Sequence, residues 1–186
     1  MLRGPARPLR PEEILLAETQ QLIVSMRETM QDAPGVGLAA PQVGLPLQIA
    51  VIEDREEYTK DISPEVLAER ERKPVAFHVM INPVLTLETA ADVEYFEGCL
   101  SVPGLVALVP RARKVKVECL DEQGRPRVIR ASGWHARIVQ HEIDHLTGSL
   151  YVDRMRSTSL CSLENFTRHW KGKSIAEVKR LLPSGH

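Results

Sequence analysis

Apolar and polar positions follow two different spacings along this chain, and the changes between them predict the order of its elements. Apolar residues first recur every three to four positions, which is typical of an amphipathic helix starting at Pro11 with Glu12 and Glu13 in its first turn. We expect this helix to have five to six turns and to end near Asp32. Its predicted apolar face consists of Leu15, Leu22, Met26 and Met30.

The next segment, 33–46, contains three glycines and three prolines, which predicts an irregular loop without helix or regular strand. A strand is then predicted at 47–53. Segment 53–73 is dense in charge, and we interpret it as a solvated excursion with a helix start at Ser63. The middle of the chain is predicted to be mostly antiparallel sheet, with strands at 75–82, 93–98, 114–121 and 127–131 and a hairpin turn at 121–124.

Segment 134–147 returns to helical spacing and is apolar on almost every side. A helix of this kind is buried, so we expect His141 and His145 to point into the interior and Gly148 to end the helix. Only a narrow polar strip interrupts the apolar surface, and it consists of Arg137, Gln140, Asp144 and Thr147. The predicted fold class is α+β, with antiparallel sheets packed around this central helix.

No repeat or flexible linker divides the sequence, which predicts a single domain over 1–186. We expect a helical extension from about 154. Within it, Ser174 and Glu177 form a capping box that opens a short helix to Leu182. Residues 154–186 hold seven basic and two acidic residues, a local excess of five positive charges.

The overall composition excludes several classes of partner. The 24 basic and 25 acidic residues give a formal charge of −1, which argues against DNA or another large polyanion as the main partner. No apolar run approaches the roughly 18 residues of a membrane span, so we expect a soluble protein without a membrane partner. Three widely spaced cysteines indicate free thiols in a reducing compartment.

One short motif in the buried helix points to metal chemistry. His141 and His145 in H-E-I-D-H lie one turn apart, so both imidazoles can reach a single tetrahedral metal ion. Two hydrogen-bonded core histidines with a surface glutamate are the alternative interpretation. Cys99, which directly follows a predicted strand and Gly98, is the preferred third ligand, since Gly98 allows the backbone to come close.

Two protease patterns also contain H-E-x-x-H. The metzincin pattern requires a third histidine six residues after His145, where this chain has Tyr151. Another class uses a downstream glutamate, for which Glu164 and Glu177 are the candidates. A metallopeptidase with such a ligand therefore stays open as an alternative function, as does a binding protein that has lost catalysis.

Three motifs in this order, G-V-G-L-A-A-P-Q (35–42), E-G-C-L-S (97–101) and H-E-I-D-H (141–145), resemble those of the peptide deformylases. The resemblance runs from Leu2 to about Asp153, although the family usually has a few more residues before the Leu2-Arg3 pair. It is closest to the branch that includes mitochondrial, plant and many bacterial enzymes. It implies a metal-dependent hydrolase that removes the N-formyl group from the formylmethionine of nascent polypeptides and releases formate.

The resemblance also implies a role for each motif residue. Cys99, His141 and His145 would hold Fe²⁺, for which Zn²⁺, Ni²⁺ or Co²⁺ can substitute. Glu142 would act as the general base. The side-chain amide of Gln42 and the backbone N–H of Leu100 would stabilise the negative charge that develops on the formyl oxygen.

The matching positions also predict how the peptide binds. We expect a methionine pocket formed by Val36, Tyr95, Trp134, Ile138 and His141, with Gly37 and Glu97 at its margins. The backbone near Val36 and Gly98 would pair with the peptide as a strand does. Arg137 is placed at the peptide entrance, with a solvent-facing position as the alternative.

The predicted partner is the N-formylmethionyl end of a nascent peptide. The basic segment after 154 supports a weaker hypothesis of contact with ribosomal RNA, against which a lysine-rich exposed helix face is the favoured interpretation. The predicted location is the cytoplasm of a bacterium, with an organelle as the other source that the resemblance allows.

Overall fold

Two antiparallel sheets form the framework of the protein in a computed structural model that describes residues 2–182. The larger sheet has the strand order β1-β2-β3-β6-β7, and the smaller one has the order β4-β5-β8. The strands are β1 (Gly37–Ala39), β2 (Ile49–Asp54), β3 (Val75–Leu87), β4 (Ala91–Cys99), β5 (Val102–Ala112), β6 (Lys114–Leu120), β7 (Pro126–Ser132) and β8 (Cys161–Ser162). The predicted combination of helices with antiparallel sheet is confirmed.

The helices are distributed along the whole chain. They are α1 (Pro11–Ile14), α2 (Ala17–Asp32), α3 (Pro64–Glu69), α4 (Gly133–Leu146), α5 (Leu163–Asn165) and α6 (Ile175–Leu181). A π-helical turn, Phe166–Trp170, connects the last two. No helix among residues 2–182 is long and apolar enough to cross a bilayer.

The prediction of one continuous helix over 11–32 is wrong, because Leu15 and Leu16 are not helical and separate α1 from α2. Leu15 is 66% exposed, whereas Ile14 is fully buried, so the buried face differs from the predicted one. In α2 the buried apolar side chains are Ile23, Met26 and Met30.

The prediction of an irregular loop at 33–46 is corrected, and one strand of the structure was not predicted. Segment 33–46 contains β1 and a 3₁₀ turn, Ala40–Val43, although it was expected to have no regular structure. The chain also forms an additional long strand, β5, which pairs with β4 over most of its length. The predicted excursion at 53–73 contains α3, capped by the Ser63 hydroxyl, but its first two residues, Glu53 and Asp54, are buried.

Helix α4 lies against the inner face of the larger sheet and also contacts β5. It ends before Gly148, which has a φ of +80° and leaves no room for a side chain because a Cβ there would come within 2.9 Å of the Arg3 backbone. The apolar core around α4 joins the helix to strands of the larger sheet, and it includes Ala50, Ile52, Met80, Val115, Val117, Ile138, Val139 and Ile143.

The C-terminal part covers the smaller sheet. Val178 of α6 is 1% exposed and packs with Phe96 and Leu108, while Phe166 and Trp170 complete this cluster. The predicted capping box is confirmed, since Ser174 and Glu177 bond each other's backbone amides at the start of α6. Met1 and residues 183–186, which the predicted domain includes, lie outside the described residues.

Candidate metal centre

Three side chains that can ligate a metal meet where β4 ends against α4. The Cys99 sulfur, at the end of β4, lies 3.3 Å from His145 Nε2, and His141 lies one turn before His145 on α4. One donor atom from each of the three residues lies within 4.8 Å of the other two. This is a compact donor set of one thiol and two imidazoles, which suits a tetrahedral ion with one open position.

The two imidazoles of this cluster differ in their pKa values. Burial lowers the pKa of His145 to about 3, so this imidazole is neutral, and its Nδ1 has no partner among the described residues. Burial also acts to lower the pKa of His141, but hydrogen bonds to Cys99 and Glu97 outweigh it and raise the pKa to about 10. The Cys99 thiol and the neutral His145 ring are donor types that a divalent ion takes, so the residues present fit such an ion.

Glu97 fixes the orientation of His141. Its Oε2 lies 3.0 Å from His141 Nδ1, which leaves the other ring nitrogen of His141 for the cluster. Arg111 binds both carboxylate oxygens of Glu97, at 3.0 and 2.9 Å, and Arg137 Nη1 adds a third contact at 2.5 Å. Burial acts to raise the pKa of Glu97, but His141 and Arg111 hold it well below its ordinary value.

The network continues from Arg111 to the C-terminal half of α4. Arg111 Nη1 donates to Asp144 Oδ2 at 2.5 Å, and Arg154 binds both oxygens of Asp144 at 2.9 and 2.8 Å. Gln140 bonds the backbone N–H and carbonyl of Ala112 through its amide, at 3.0 and 2.9 Å. Three of the four residues in the predicted polar strip are therefore buried, since Arg137, Gln140 and Asp144 are 3%, 4% and 7% exposed, whereas Thr147 is exposed.

Glu142 follows His141 on α4 and lines the same cleft, but it does not belong to the group of three donor residues. The side chain is buried, and its Oε2 has no hydrogen-bond partner among the described residues. Burial raises the pKa of Glu142 to about 7. Its carboxylate fits against β1 because residue 37 is glycine, where a Cβ would come 2.3 Å from Glu142 Oε1. A buried carboxylate with a free oxygen beside a metal site can accept a proton.

The side-chain amide nitrogen of Gln42 faces the Cys99 sulfur. Its Oε1 accepts a hydrogen bond from the Ala39 N–H at 2.8 Å, which fixes which way the amide faces. Its Nε2 donates to the Ser101 hydroxyl at 3.2 Å and lies 3.8 Å from the Cys99 sulfur. Leu100 follows Cys99 in the turn between β4 and β5, and its half-exposed side chain lines the same cleft.

A cleft of about 470 Å³ opens over these groups. Most of the predicted peptide-binding residues line it, and they are Val36, Gly37, Glu97, Gly98, Trp134, Arg137 and Ile138. Arg137 does not reach a solvent-facing entrance, since its guanidinium is buried on Glu97 and on the carbonyls of Val93 and Val109.

Tyr95 is the predicted pocket residue that does not line this cleft. Its hydroxyl donates to the Glu69 carbonyl, and its ring borders a second cavity of about 390 Å³. The Arg137 guanidinium lies 5.1 Å from the centroid of the Tyr95 ring, and the Trp134 ring meets it edge-on at 6.3 Å. Tyr95 thus packs behind two residues of the cleft wall.

The structure also places the alternative ligands and the groups that sequence reasoning missed. Glu164 is exposed and pairs with Arg168, and Glu177 caps α6, so neither joins the cluster. The hydroxyl of Tyr151, at the metzincin position, donates to the Leu105 carbonyl. The sequence analysis did not single out Ser101 or Arg111, although Ser101 is the last residue of the E-G-C-L-S motif and Arg111 belongs to β5, the strand that was not predicted.

A cysteine thiol, two imidazoles and a neighbouring carboxyl group in one cleft define a candidate metallohydrolase site. A family model described as polypeptide deformylase matches residues 1–160. The chain belongs to the peptide deformylase family.

The similarity extends to sequences and to solved structures. The chain is 44% identical over 165 residues to the chloroplastic peptide deformylase 1A of Solanum lycopersicum, covering 89% of this chain and 60% of that one. It is 48% identical over 150 residues to peptide deformylase 3 of Streptomyces avermitilis, covering 81% and 65%. It thus spans less than two thirds of the length of both relatives. The Met-Ala-Ser-bound class I type b peptide deformylase of Acinetobacter baumannii superposes with a TM-score of 0.73 at 35% identity, covering 83% and 91%.

Proposed function

We propose that this chain removes the formyl group from the N-terminal formylmethionine of nascent peptides. The observation that carries the proposal is the meeting of Cys99, His141 and His145 with Glu142 and Gln42 in one cleft of a chain that belongs to this family. The reaction breaks the bond between the formyl carbon and the amine and forms a carbon–oxygen bond from water, so that formate and a free amino-terminal methionine result. Residues 1–186 act as a single catalytic domain, with α4 at its centre and a C-terminal helical extension from about residue 154.

Cys99, His141 and His145 are proposed to hold Fe²⁺, with Zn²⁺, Ni²⁺ or Co²⁺ as substitutes, because the donor set suits all of these ions. When bound, the ion supplies Lewis acidity that polarises the formyl group and makes water a nucleophile at neutral pH. Glu97 is proposed to keep His141 in the tautomer that ligates.

The protein's own groups handle the proton and the developing charge. Glu142 accepts a proton from the attacking water and delivers it to the departing amine, which its free buried oxygen supports. The Gln42 amide and the Leu100 N–H donate to the formyl oxygen, where loss of one such donor costs about 2.7 to 4 kcal/mol of transition-state stabilisation in comparable sites. The orientation of Gln42 by the Ala39 N–H supports its part in this role.

The methionine side chain is proposed to lie between Val36, Trp134 and Ile138, with Gly37 and Gly98 allowing the peptide backbone to come close. The charges of Glu97 and Arg137 compensate each other at the bottom of the pocket, which allows an apolar side chain to bind near them. Tyr95 supports Trp134 and Arg137 from behind.

Contact with the ribosome through the segment after 154 is a secondary proposal. It is supported by the basic excess of the segment, but three of its basic residues, Arg154, Arg168 and Lys179, form ion pairs within the chain. The proposed place of action is a bacterial cytoplasm or an organelle, since the relatives' names include bacterial, chloroplastic and mitochondrial proteins.

Formate release from formyl-Met-Ala-Ser by anaerobically prepared, metal-loaded protein tests the proposal. We expect turnover that a chelator abolishes. Glu142→Gln should keep the metal and lose about 10²- to 10⁴-fold in turnover. Cys99→Ala should lose both metal and turnover, while the matched variant Cys161→Ala, at another free cysteine, should keep both.

The same protein preparations test the metallopeptidase alternative. A metallopeptidase would cleave internal bonds of unformylated peptides and would be indifferent to Cys99→Ala. Metal-loaded protein that releases no formate would reject the proposed function.

A further inference from the structure

Two arginines lie against the ring of Trp134, which forms part of the cleft wall. Trp134 is near the start of α4 and lines the cleft over the candidate metal centre, whereas Arg70 and Arg72 follow α3 and do not line it. The Arg70 guanidinium lies 5.1 Å from the centroid of the Trp134 ring, and that of Arg72 lies 5.3 Å from it. Cations at this distance are attracted by the π-electrons of an indole. The segment after α3 therefore contacts the cleft wall from outside the cleft.

The two arginines differ in what else they bind. Arg72 donates two hydrogen bonds of 2.8 Å to the carboxylate of Asp54, whose side chain is fully buried. Among residues 2–182, the half-buried guanidinium of Arg70 has no hydrogen-bond or ion-pair partner, and its close contacts are the rings of Trp134 and, at 5.9 Å, Tyr95. Arg72 is thus held by an ion pair, whereas Arg70 is held against aromatic rings.

The backbone fixes the place from which Arg70 reaches the indole. Gly133, the residue before Trp134, has a φ of +57°, and a Cβ there would come within 2.9 Å of the Arg70 carbonyl oxygen and 2.4 Å of the Glu71 Cβ. The Tyr95 hydroxyl donates to the carbonyl of Glu69, which directly precedes Arg70. The main chain around Arg70 therefore packs directly on the start of α4, so that its side chain begins beside the indole.

The indole of Trp134 lacks the polar anchor that usually fixes such a ring. A buried indole N–H normally donates a hydrogen bond, which sets the orientation of the ring. The Nε1 of Trp134 is buried and has no acceptor among the described residues. Contacts with the Arg70 and Arg72 guanidinium groups and with the edge of Tyr95, at 6.3 Å, take the place of that bond. Without Arg70 the indole would lose one of these contacts and could turn about its side-chain bonds, which would change the shape of the cleft.

We propose that Arg70 is a positioning residue, which holds the Trp134 indole in the cleft wall and thereby sets the preference for methionine over a bulkier first residue of the peptide. This inference rests on the proposed function, in which Trp134 contacts the methionine side chain. Arg70 does not line the cleft, so it acts on the peptide through Trp134 and leaves the metal ligands and Glu142 unchanged. Binding of the peptide should therefore depend on Arg70, whereas kcat should not.

Steady-state kinetics on formyl-Met-Ala-Ser and formyl-Phe-Ala-Ser test the proposal. Arg70→Met covers the indole without a charge, and we expect it to raise KM for the methionine peptide by about 3- to 10-fold while kcat stays within about 2-fold. The preference for methionine over phenylalanine should fall by a similar factor, because a displaced indole leaves room for the larger ring. Arg70→Lys keeps a cation and should restore most of both. Arg27→Met is the matched control, since the Arg27 guanidinium lies 4.3 Å from the Phe77 ring, and neither residue lines the cleft; it should leave both as in the wild type.

Fluorescence of Trp134 reports its position without any turnover. The chain has two tryptophans, and the other, Trp170, packs with Phe96 in the C-terminal cluster. In a Trp170→Phe background all tryptophan emission comes from Trp134. We expect acrylamide to quench this emission more strongly after Arg70→Met and to the same extent after Arg27→Met.

Calorimetry with the unformylated product peptide Met-Ala-Ser separates this proposal from the proposed function. Protein that releases no formate but binds Met-Ala-Ser, with about 3- to 10-fold weaker binding after Arg70→Met and wild-type binding after Arg27→Met, would support the positioning role alone. Equal KM, preference and quenching for the wild type and Arg70→Met would overturn it. Stronger quenching with an unchanged KM and preference would overturn it as well, because the indole would then move without affecting the peptide.

Discussion

Replacing Glu97 by glutamine should weaken both the fold and the metal site, because this one carboxylate joins several parts of the molecule. It accepts hydrogen bonds from Arg111 and Arg137, which are buried, and it orients His141. Glu97→Gln keeps the shape of the side chain but removes the charge and turns an acceptor into a donor facing other donors.

The structure sets the size of the effect. The Glu97 side chain is 5% exposed, and those of Arg111 and Arg137 are each 4% exposed. Removing one partner from a buried ion pair typically costs about 3 to 5 kcal/mol, because the remaining charge stays buried without compensation. Loss of the group that orients a ligating histidine typically lowers metal affinity by about 10- to 100-fold.

Glu94→Gln on the same strand is the matched control. Glu94 pairs with Lys179 at 2.5 Å, but the lysine side chain is 41% exposed, so this pair should contribute about 0 to 1 kcal/mol. Urea unfolding of the metal-free proteins, followed by circular dichroism, measures the free energy of unfolding, and competition with a chelator measures metal affinity. Unfolding free energies within about 1 kcal/mol of each other for Glu97→Gln and Glu94→Gln, with equal metal affinity, would refute the reasoning.

Two further changes test the site and the core separately. Gly37→Ala would bring a Cβ within 2.3 Å of Glu142 Oε1, so we expect metal content to be kept and formate release to fall by about 10²-fold. Gly35→Ala is the control, because its Cβ would come no closer than 3.4 Å to its nearest atom, and it should keep most activity. Equal activity of both variants would contradict the position of Glu142. Burial lowers the pKa of His135 from 6.5 to about 4, and its ring meets His78 edge-on at 5.3 Å. Between these pH values His135 is protonated in the unfolded chain but not in the folded one. The free energy of unfolding should therefore fall as pH drops from 6.5 toward 4, by about 1 to 2 kcal/mol after allowance for the ring's partial exposure. Urea unfolding at pH 7 and pH 5 should show a smaller pH dependence for His135→Gln, and an unchanged one would contradict this assignment.

The parts of the fold that local patterns determine could be predicted from the sequence. The histidine-bearing helix, the strands at either side of the 121–124 turn and the capping box at Ser174 all depend on residues within one or two turns of each other. Strand β5 was not predicted, because Pro103, Gly104 and Pro110 disfavour a strand locally, and pairing with β4 outweighs that preference.

The environment of the polar residues on α4 could not be predicted, because their partners are distant in sequence. Asp144 is buried since Arg111 and Arg154 reach it from other elements, and Gln140 is buried since the Ala112 backbone needs its amide. A pattern of charged residues by itself indicates solvent, and only the fold shows that the charges are compensated. Tyr95 does not line the cleft as predicted, because Arg137 and Trp134 lie between its ring and the cleft.

The ligating atoms of the candidate metal centre come from different layers of the fold. Cys99 belongs to the smaller sheet, whereas both histidines extend from the helix that packs on the larger one, 46 residues separating Cys99 from His145 along the chain. If the three residues hold an ion as proposed, a molecule in which the smaller sheet has detached would keep only two of the three ligands and would release that ion. Occupancy of the centre would then report whether both sheets are assembled.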